Sequence, residues 1–216
     1  MEHISVLLQE SIAGLAIHPD KTYVDATLGR GGHSLEIVKQ LKNGRLICFD
    51  RDLKAIEESK QVLSDHLDKI TFIHGNFSEM KEKLKEIGIH GVDGIMADLG
   101  VSSPQFDDPT RGFSYRFDAR LDMRMDQSQP LSAWDVVNTY PFNDLFRILH
   151  RYGEEPFAKQ IARKIEARRQ EKTIDTTLDL VDVIKSALPS KVLSKKGHPA
   201  KQTFQAIRIE VNGELD

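Results

Sequence analysis

The stretch DATLGRGGHS, residues 25–34, has the pattern of a β-strand that runs into a glycine-rich turn and then into a helix. Glycine turns of this kind let a nucleotide approach the backbone closely, because no side chain stands in the way. A P-loop, a dinucleotide site and an S-adenosylmethionine site can all begin in this manner. The stretch predicts an α/β nucleotide fold and leaves three chemistries open.

Two periodicities alternate over the first hundred residues. Short runs rich in Val, Ile and Phe are typical of buried parallel strands. The runs between them place apolar residues three and four positions apart, as amphipathic helices do. The pattern predicts strands at 22–27, 45–50, 70–75 and 92–100, helices at 34–41, 53–63 and 77–88, and a leading helix at 3–17. Strands that alternate with helices indicate a parallel sheet covered on both faces.

The pattern changes after Gly100. A long polar segment at 101–130 without a clear period indicates a functional loop. Helical patterns follow at 132–140, 142–153, 156–172 and 177–188, and the final segment fits a strand or a helix. We therefore expect a Rossmann-like core at 1–104, a substrate loop and helical insertion at 105–200, and a segment at 201–216 that returns to the core.

Composition restricts the class of protein. The chain has 216 residues, 39% of them hydrophobic and 29% charged, which is typical of a globular domain. No apolar run approaches the roughly 20 residues that span a bilayer, so we expect no membrane association. Cys48 has no cysteine with which to form a disulfide, which fits the cytoplasm. The net charge of −3 gives no global attraction for nucleic acid, and no histidine or cysteine pair has the spacing of a zinc site.

The residues around the glycine turn separate the three cofactor classes. A P-loop needs a lysine followed by Ser or Thr after its last glycine, and residues 29–34 contain no lysine. Gly29 and Gly31 fit the start of a dinucleotide fingerprint, but Ser34 stands in place of its third glycine. Asp50, at the end of the second predicted strand, is suited to bind ribose hydroxyls in either a dinucleotide or an S-adenosylmethionine site.

The end of the fourth predicted strand favours methyl transfer. Enzymes that methylate exocyclic base amines carry Asp, Asn or Ser, then Pro-Pro and an aromatic residue, at this position. Asp98 is followed by Ser103-Pro104-Gln105-Phe106, which resembles that motif with Gln in place of the second proline. Hydrogen-bond acceptors there would orient the amine lone pair towards a methyl group.

Several blocks together carry a closer resemblance. They are HISVLLQE (3–10), DATLGRGGHS (25–34), VDGIMADLGVSSPQFDDPTRGFSY (92–115), LDMRMD (121–126), YGEE (152–155) and HPAKQTFQAIRIEVNGEL (198–215). With these blocks the chain resembles the MraW-type family, the small-subunit ribosomal RNA methyltransferase H enzymes. The resemblance implies a Rossmann-like S-adenosylmethionine-dependent fold with a helical insertion, acting on N4 of a cytidine in the decoding region of bacterial 16S rRNA.

The resemblance also implies roles for individual residues. Residues expected to bind the cofactor are Gly31, Gly32, His33, Asp50, Phe77, Asp98 and Gln105. Asp50 would hold the ribose and Phe77 would lie against the adenine. Asp98, Ser103 and Pro104 are expected to be catalytic, and no metal is expected.

Relatives in this family continue beyond the last residue, so we expect a truncated chain whose sheet is incomplete at the C-terminus. An exposed sheet edge would favour a homodimer. Two alternatives stay open: a catalytically impaired form that binds cofactor or RNA without turnover, and an NAD-dependent oxidoreductase.

Residues 147–172 carry eight Arg or Lys against four Glu, which indicates either an RNA contact or a solvated helix face. Alternating Arg and Asp at 111–126 indicate mutual ion pairs more than phosphate binding.

Overall fold

The computed structural model describes residues 7–194 and 196–215, with the side chains of residues 103 and 104 outside the description. Internal contacts divide the chain into two compact units, one ending at Gly100 and the other beginning at Val101. The first unit is a parallel α/β sheet, and the second is helical. The part of the leading helix predicted at 3–6 lies outside the described residues.

The sheet of the first unit has four parallel strands in the order β3-β2-β1-β4. They are β1 (Thr22–Asp25), β2 (Arg45–Asp50), β3 (Ile70–His74) and β4 (Gly94–Met96). All four predicted strands are confirmed, as is the α/β fold class. Strand β4 is shorter than predicted, because in the described residues it pairs with β1 alone and β1 ends at Asp25.

Helices cover both faces of this sheet. They are α1 (Leu8–Leu15), α2 (Gly32–Val38), α3 (Leu53–Val62) and α4 (Met80–Glu86), with 3-10 turns at Ser64–Lys69 and Phe77–Glu79. Tyr23 packs with residues of α2 and α3 on one face, and its neighbour Val24 packs with Leu84 of α4 on the other. This division follows from the alternation of side chains along a strand.

The second unit is built from seven helices in the described residues. They are α5 (Ser103–Asp107), α6 (Ala133–Thr139), α7 (Phe142–Arg151), α8 (Ala158–Glu171), α9 (Thr177–Ala187), α10 (Ser190–Leu193) and α11 (Lys201–Asn212). The four helices predicted between 132 and 188 are present. Capping boxes begin two of them, at Ser132 with Asp135 for α6 and at Thr176 with Asp179 for α9.

The final segment is a helix, which resolves the open choice between strand and helix. Phe204, Ile207 and Val211 are buried at helical spacing, and α11 packs against α6 and α7. Ile207, Ile209 and Val211 also alternate in sequence, as the residues of a strand do. The packing against neighbouring helices therefore decides the conformation. The division into a core, an insertion and a returning segment stays a prediction, whereas the packing of α11 inside the second unit is observed directly.

The polar segment that follows α5 is firmly held although it has little regular structure. Leu121 and Met123 are fully buried within it. The buried Arg111 guanidinium donates to the carbonyl of Met125 at 3.1 Å. Asn212 of α11 accepts the Met125 N–H and donates to the Met123 carbonyl, both at 2.8 Å. These contacts satisfy buried backbone groups that a loop would otherwise leave unpaired.

The substitution Asn212→Ala should therefore destabilise the second unit. It leaves the Met125 N–H and the Met123 carbonyl buried without partners, which costs about 2–4 kcal/mol. Urea unfolding followed by far-ultraviolet circular dichroism measures the loss.

The matched control is Gln202→Ala, which removes one exposed hydrogen bond to the Glu154 carbonyl. Its effect on the free energy of unfolding should stay within about 0.5 kcal/mol. Equal stabilities for the Asn212 variant and the original chain would contradict the assignment.

Candidate functional site

The glycine turn lies between β1 and α2, at the carboxyl end of the sheet. Leu28 N–H donates to the Phe49 carbonyl at 2.9 Å, which attaches the turn to β2. Gly29 and Gly31 both have positive φ, at 52° and 79°. A Cβ on Gly31 would also meet Leu63 Cδ1 at 3.3 Å. Glycine is therefore required at Gly31 for both conformation and space.

Asp50 at the end of β2 is tied to this turn. Its carboxylate accepts the Gly29 N–H through Oδ2 and the Asp52 N–H through Oδ1, both at 2.8 Å. Burial raises the pKa of Asp50, although these N–H donors oppose the rise. A carboxylate has about four acceptor positions. The half-buried Asp50 can thus accept further hydrogen bonds from ligand hydroxyls while it holds the turn.

A buried polar network lies directly beneath the turn. Asp25 is fully buried and accepts the Thr27 N–H at 3.1 Å and the Ser34 hydroxyl at 2.6 Å. Ser34 Oγ is 3.3 Å from Cys48 Sγ. Because the Ser34 proton is directed to Asp25, the Cys48 thiol is the donor in this contact. Burial raises the pKa of the Cys48 thiol well above its usual value, which keeps it protonated.

Thr27 connects the turn to the end of β4. Its hydroxyl accepts the Asp98 N–H at 2.7 Å, and the Asp98 side chain is exposed. The backbone also joins β4 to β1, because Ala26 N–H donates to the Met96 carbonyl at 2.8 Å. Asp98 is thus fixed through its backbone at the same end of the sheet as the glycine turn.

The remaining predicted cofactor residues of the first unit follow the strand ends. Gly32 and His33 begin α2, and the His33 side chain is buried. Phe77 starts the 3-10 turn after β3, is half-buried, and packs on the cluster that contains Val24. Gly75 N–H donates to the Asp50 carbonyl at 3.0 Å, which joins the end of β3 to that of β2.

Three predicted residues belong to the second unit. Gln105 is buried, and its Oε1 accepts the Ser102 N–H at 3.1 Å. Ser103 and Pro104 lie in α5, but their side chains are outside the described residues. The structure gathers Gly31, Gly32, Asp50 and Asp98 at one end of the sheet and describes Gln105 within its own unit.

Sequence reasoning missed Asp25, Thr27 and Ser34 as residues of this site. Asp25 and Ser34 bracket the glycine stretch, and Ser34 occupies the place of the third glycine in a dinucleotide fingerprint. The third glycine of such a fingerprint normally packs closely against the strand. A polar residue there, such as Ser34, indicates a buried hydrogen-bond partner. The acidic residue at the end of the preceding strand supplies that partner.

A comparison with models of known families identifies the family of the chain. A model of the MraW methylase family matches residues 1–216, the whole chain. The chain belongs to the MraW methylase family. It is thereby a member of an S-adenosylmethionine-dependent methyltransferase family, as its resemblance predicted.

The similar solved structures superpose on this chain only in part. An rRNA methylase from Streptococcus thermophilus is 23% identical, with a TM-score of 0.32, over 38% of this chain and 50% of that one. A structure from Clostridium thermocellum assigned as an rRNA methylase is 27% identical, with a TM-score of 0.34, over 38% and 46%. The chain thus spans about half the length of the solved structures it matches first.

The residues of the glycine turn fit S-adenosylmethionine. A side chain at Gly31 would be crowded by Leu63 at 3.3 Å, and the backbone there has the left-handed conformation that favours glycine and lets a ligand approach. The Asp50 carboxylate has spare acceptor capacity for the ribose hydroxyls. In the described part of the chain, no cluster of three His, Cys, Asp or Glu side chains is arranged to hold a metal. None of the described helices is both long and apolar enough to cross a membrane.

Asp25 should make the stability of the fold depend on pH. Burial raises the pKa of Asp25 from 3.8 to about 6, so the folded state favours the neutral carboxyl. Its stabilising contribution is fully present below pH 3.8 and is lost as pH rises through about 6. Relative to Asp25→Asn, which does not titrate, the original chain should lose on the order of 3 kcal/mol between pH 4 and 7.5.

Denaturant unfolding of both proteins across this pH range measures the difference. Asp65→Asn, at an exposed site in the turn after α3, is the control and should follow the original chain throughout. A difference between Asp25→Asn and the original chain that stays constant with pH would contradict the role of the buried carboxyl.

Proposed function

We propose that this protein transfers a methyl group from S-adenosylmethionine to N4 of a cytidine in the decoding region of bacterial 16S rRNA. The observation that carries the proposal is the glycine turn held by Asp50, in a chain that matches the MraW methylase family over its full length. The segment from Asp98 to Phe106, with its likeness to amine-methylating enzymes, supports an exocyclic amine as the acceptor.

Within this proposal the first unit binds and orients the cofactor. Asp50 accepts the ribose hydroxyls, Gly31 and Gly32 allow close backbone approach, and Phe77 lies against the adenine. His33 of the first unit and Gln105 of the second unit are further proposed cofactor contacts. The sulfonium of the cofactor supplies the methyl group. The protein contributes orientation for in-line transfer, because proximity accounts for much of the rate in such reactions.

The catalytic residues act on the acceptor amine. The lone pair of cytosine N4 is delocalised into the ring, so the amine is a poor nucleophile. Asp98, Ser103 and the backbone at Pro104 supply acceptors for its two hydrogens, which favours a tetrahedral nitrogen with its lone pair directed at the methyl group. The proton leaves readily after transfer, because methylation makes the nitrogen acidic, and no strong base is required.

The proposal extends to the setting of the reaction. The substrate is 16S rRNA in the small ribosomal subunit, which places the protein in the cytoplasm. Among the described residues β4 pairs on one side only, and its Ile95 is 52% exposed, which supports a homodimer.

Cofactor binding is the first test. Calorimetric titration should show that the chain binds S-adenosylmethionine and does not bind NAD. Asp50→Asn should weaken binding about 10–100-fold, because a hydrogen bond to a charged group contributes about 1.5–3 kcal/mol. Gly31→Ala should weaken it at least as much, since the added Cβ contacts Leu63 at 3.3 Å.

The matched control for the charge is again Asp65→Asn, which should bind as the original chain does. Binding of NAD in preference to S-adenosylmethionine would support an oxidoreductase and overturn the proposal.

Methyl transfer is the second test. Unmethylated small subunits incubated with the protein and labelled S-adenosylmethionine should gain one methyl group on a cytidine N4, located by mass spectrometry of nuclease fragments. Ser103→Ala should lower kcat about 10–1000-fold with little change in cofactor affinity, because it removes an acceptor that acts on the amine. Cofactor binding without methylation of any subunit would instead indicate a binding form without turnover.

A further inference from the structure

The second unit carries two basic surfaces, and their local charges differ. The stripe on α8 exposes Lys159, Arg163 and Lys164, but the same helix also carries Glu166 and Glu171. Two basic residues of the predicted stripe are engaged elsewhere: Arg169 donates to the carbonyls of Val137 and Tyr140, and Arg147 pairs with Glu210. Arg169 and Arg147 are therefore committed to the fold, and Glu166 and Glu171 offset part of the positive charge of α8.

The other surface is built mainly on residues 183–209, which contain no acidic residue, although Asp118 and Asp182 are exposed close in sequence to its members Arg116 and Lys185. Between Asp182 and Glu210 the sequence has no Asp or Glu and contains Lys185, Lys191, Lys195, Lys196, Lys201 and Arg208. Lys185, Lys191, Lys196 and Lys201 are exposed, and none of these four forms an ion pair within the described ranges. Unpaired cations concentrated in one stretch of a protein whose net charge is −3 give it a local attraction for an anionic partner.

An aromatic pair lies within this surface. The rings of Tyr115 and His198 stack with their centroids 4.1 Å apart and an angle of 11° between their planes. Tyr115 is supported edge-on by the buried Phe204 at 5.7 Å. Both stacked rings are half-buried, so each retains surface that a ligand can reach.

The surroundings of His198 are cationic. Burial first, and then the positive charges of Lys185 and Arg116, lower the pKa of His198, and no carboxylate contributes to that shift. Its Nδ1 accepts the Ala200 N–H at 3.2 Å, which places the proton of the neutral ring on Nε2. The neighbouring Gly197 has open space around its α-carbon and a φ of 105°. An uncharged stacking ring with a donor thus lies in the field of the exposed cations Lys185 and Arg116, and the exposed Lys196 precedes it by two residues.

We propose that this surface, formed by Tyr115, Arg116, Lys185, Lys191, Lys196 and His198, binds single-stranded segments of the RNA substrate. Lysine and arginine neutralise the phosphates, and aromatic rings stack on unpaired bases, which is the combination that single-stranded nucleic acids require. Double-stranded RNA offers no exposed base faces for stacking. The proposal rests on the proposed function in that it takes RNA as the substrate, and it assigns the contact to this surface instead of the α8 stripe.

The test compares two variants of equal charge. One carries K185A, K191A and K196A, and the other carries K159A, R163A and K164A on α8, so that each removes three exposed cations. The probe is a fluorescently labelled, unstructured RNA of twelve nucleotides, titrated with the full chain and read by anisotropy at several salt concentrations.

The first variant should bind at least tenfold more weakly, and the slope of log affinity against log salt should fall by about 2, since each phosphate contact in a single strand contributes about 0.7. The α8 variant should stay within about threefold of the original chain. Equal losses in both variants, a larger loss in the α8 variant, or no binding of the probe by the original chain would overturn the proposal.

The aromatic contribution is tested at His198. H198A should weaken binding several-fold, whereas H198F keeps a ring for stacking and should retain most of the affinity. Circular dichroism melting checks that each variant remains folded.

Calorimetric binding of S-adenosylmethionine, measured on the same samples, separates failure of this surface from failure of the cofactor assignment. Equal binding by the original chain and both His198 variants would exclude the stacking role, and stronger binding to a duplex of the same sequence would contradict the single-stranded preference.

Discussion

The first unit depends on the buried carboxyl of Asp25. It lies at the end of β1, which has a hydrogen-bonded strand on each side. From there it accepts hydrogen bonds from Thr27 in the turn and Ser34 in the following helix. These contacts fix the strand, the turn and the start of α2 relative to one another. Desolvation opposes ionisation of such a group, so the hydrogen bonds are needed to compensate for its burial. The glycine turn is therefore held by buried hydrogen bonds to Asp25 as well as by its own backbone conformation.

Asp50 adds a second constraint from the neighbouring strand. Its side chain holds the turn through Gly29 and the start of α3 through Asp52. Asp52 in turn caps α3 by accepting the Lys54 N–H at 3.0 Å. Asp50, the residue proposed to bind the ribose, thus also orders the loops around it. A site whose binding groups are fixed by their own hydrogen bonds loses less conformational entropy when a ligand binds.

In the second unit a polar segment is packed among helices, so its buried backbone groups need hydrogen-bond partners. Arg111, Asn138 and Asn212 satisfy the carbonyls and N–H groups of buried loop segments. The ion pair between Arg124 and Asp122 at 2.7 Å agrees with the mutual pairing that the alternating charges favoured. Charges committed to holding the chain are poor candidates for substrate contacts. The distribution of unpaired cations consequently says more about a nucleic-acid partner than the net charge does.

Much of this protein was predictable from local patterns. The apolar periodicity of the sequence predicted four strands and most of the helices. Core-facing residues alternate along a strand and recur every three or four residues along a helix. The glycine stretch and Asp50 were recognised as a candidate cofactor site for a related reason: glycine at Gly31 and a carboxylate at a strand end are local requirements of a nucleotide turn.

Contacts between distant residues were decided by the tertiary structure alone. The pairing of Asp25 with Ser34, the fixing of residues 123–125 by Asn212, and the stacking of Tyr115 on His198 all depend on how separate elements pack. The helical state of α11 belongs with them, since its apolar residues suit either regular structure until α6 and α7 cover one face. Sequence determined which residues can be buried, and packing determined which of them meet, because a long-range contact depends on the geometry of every element between its two partners.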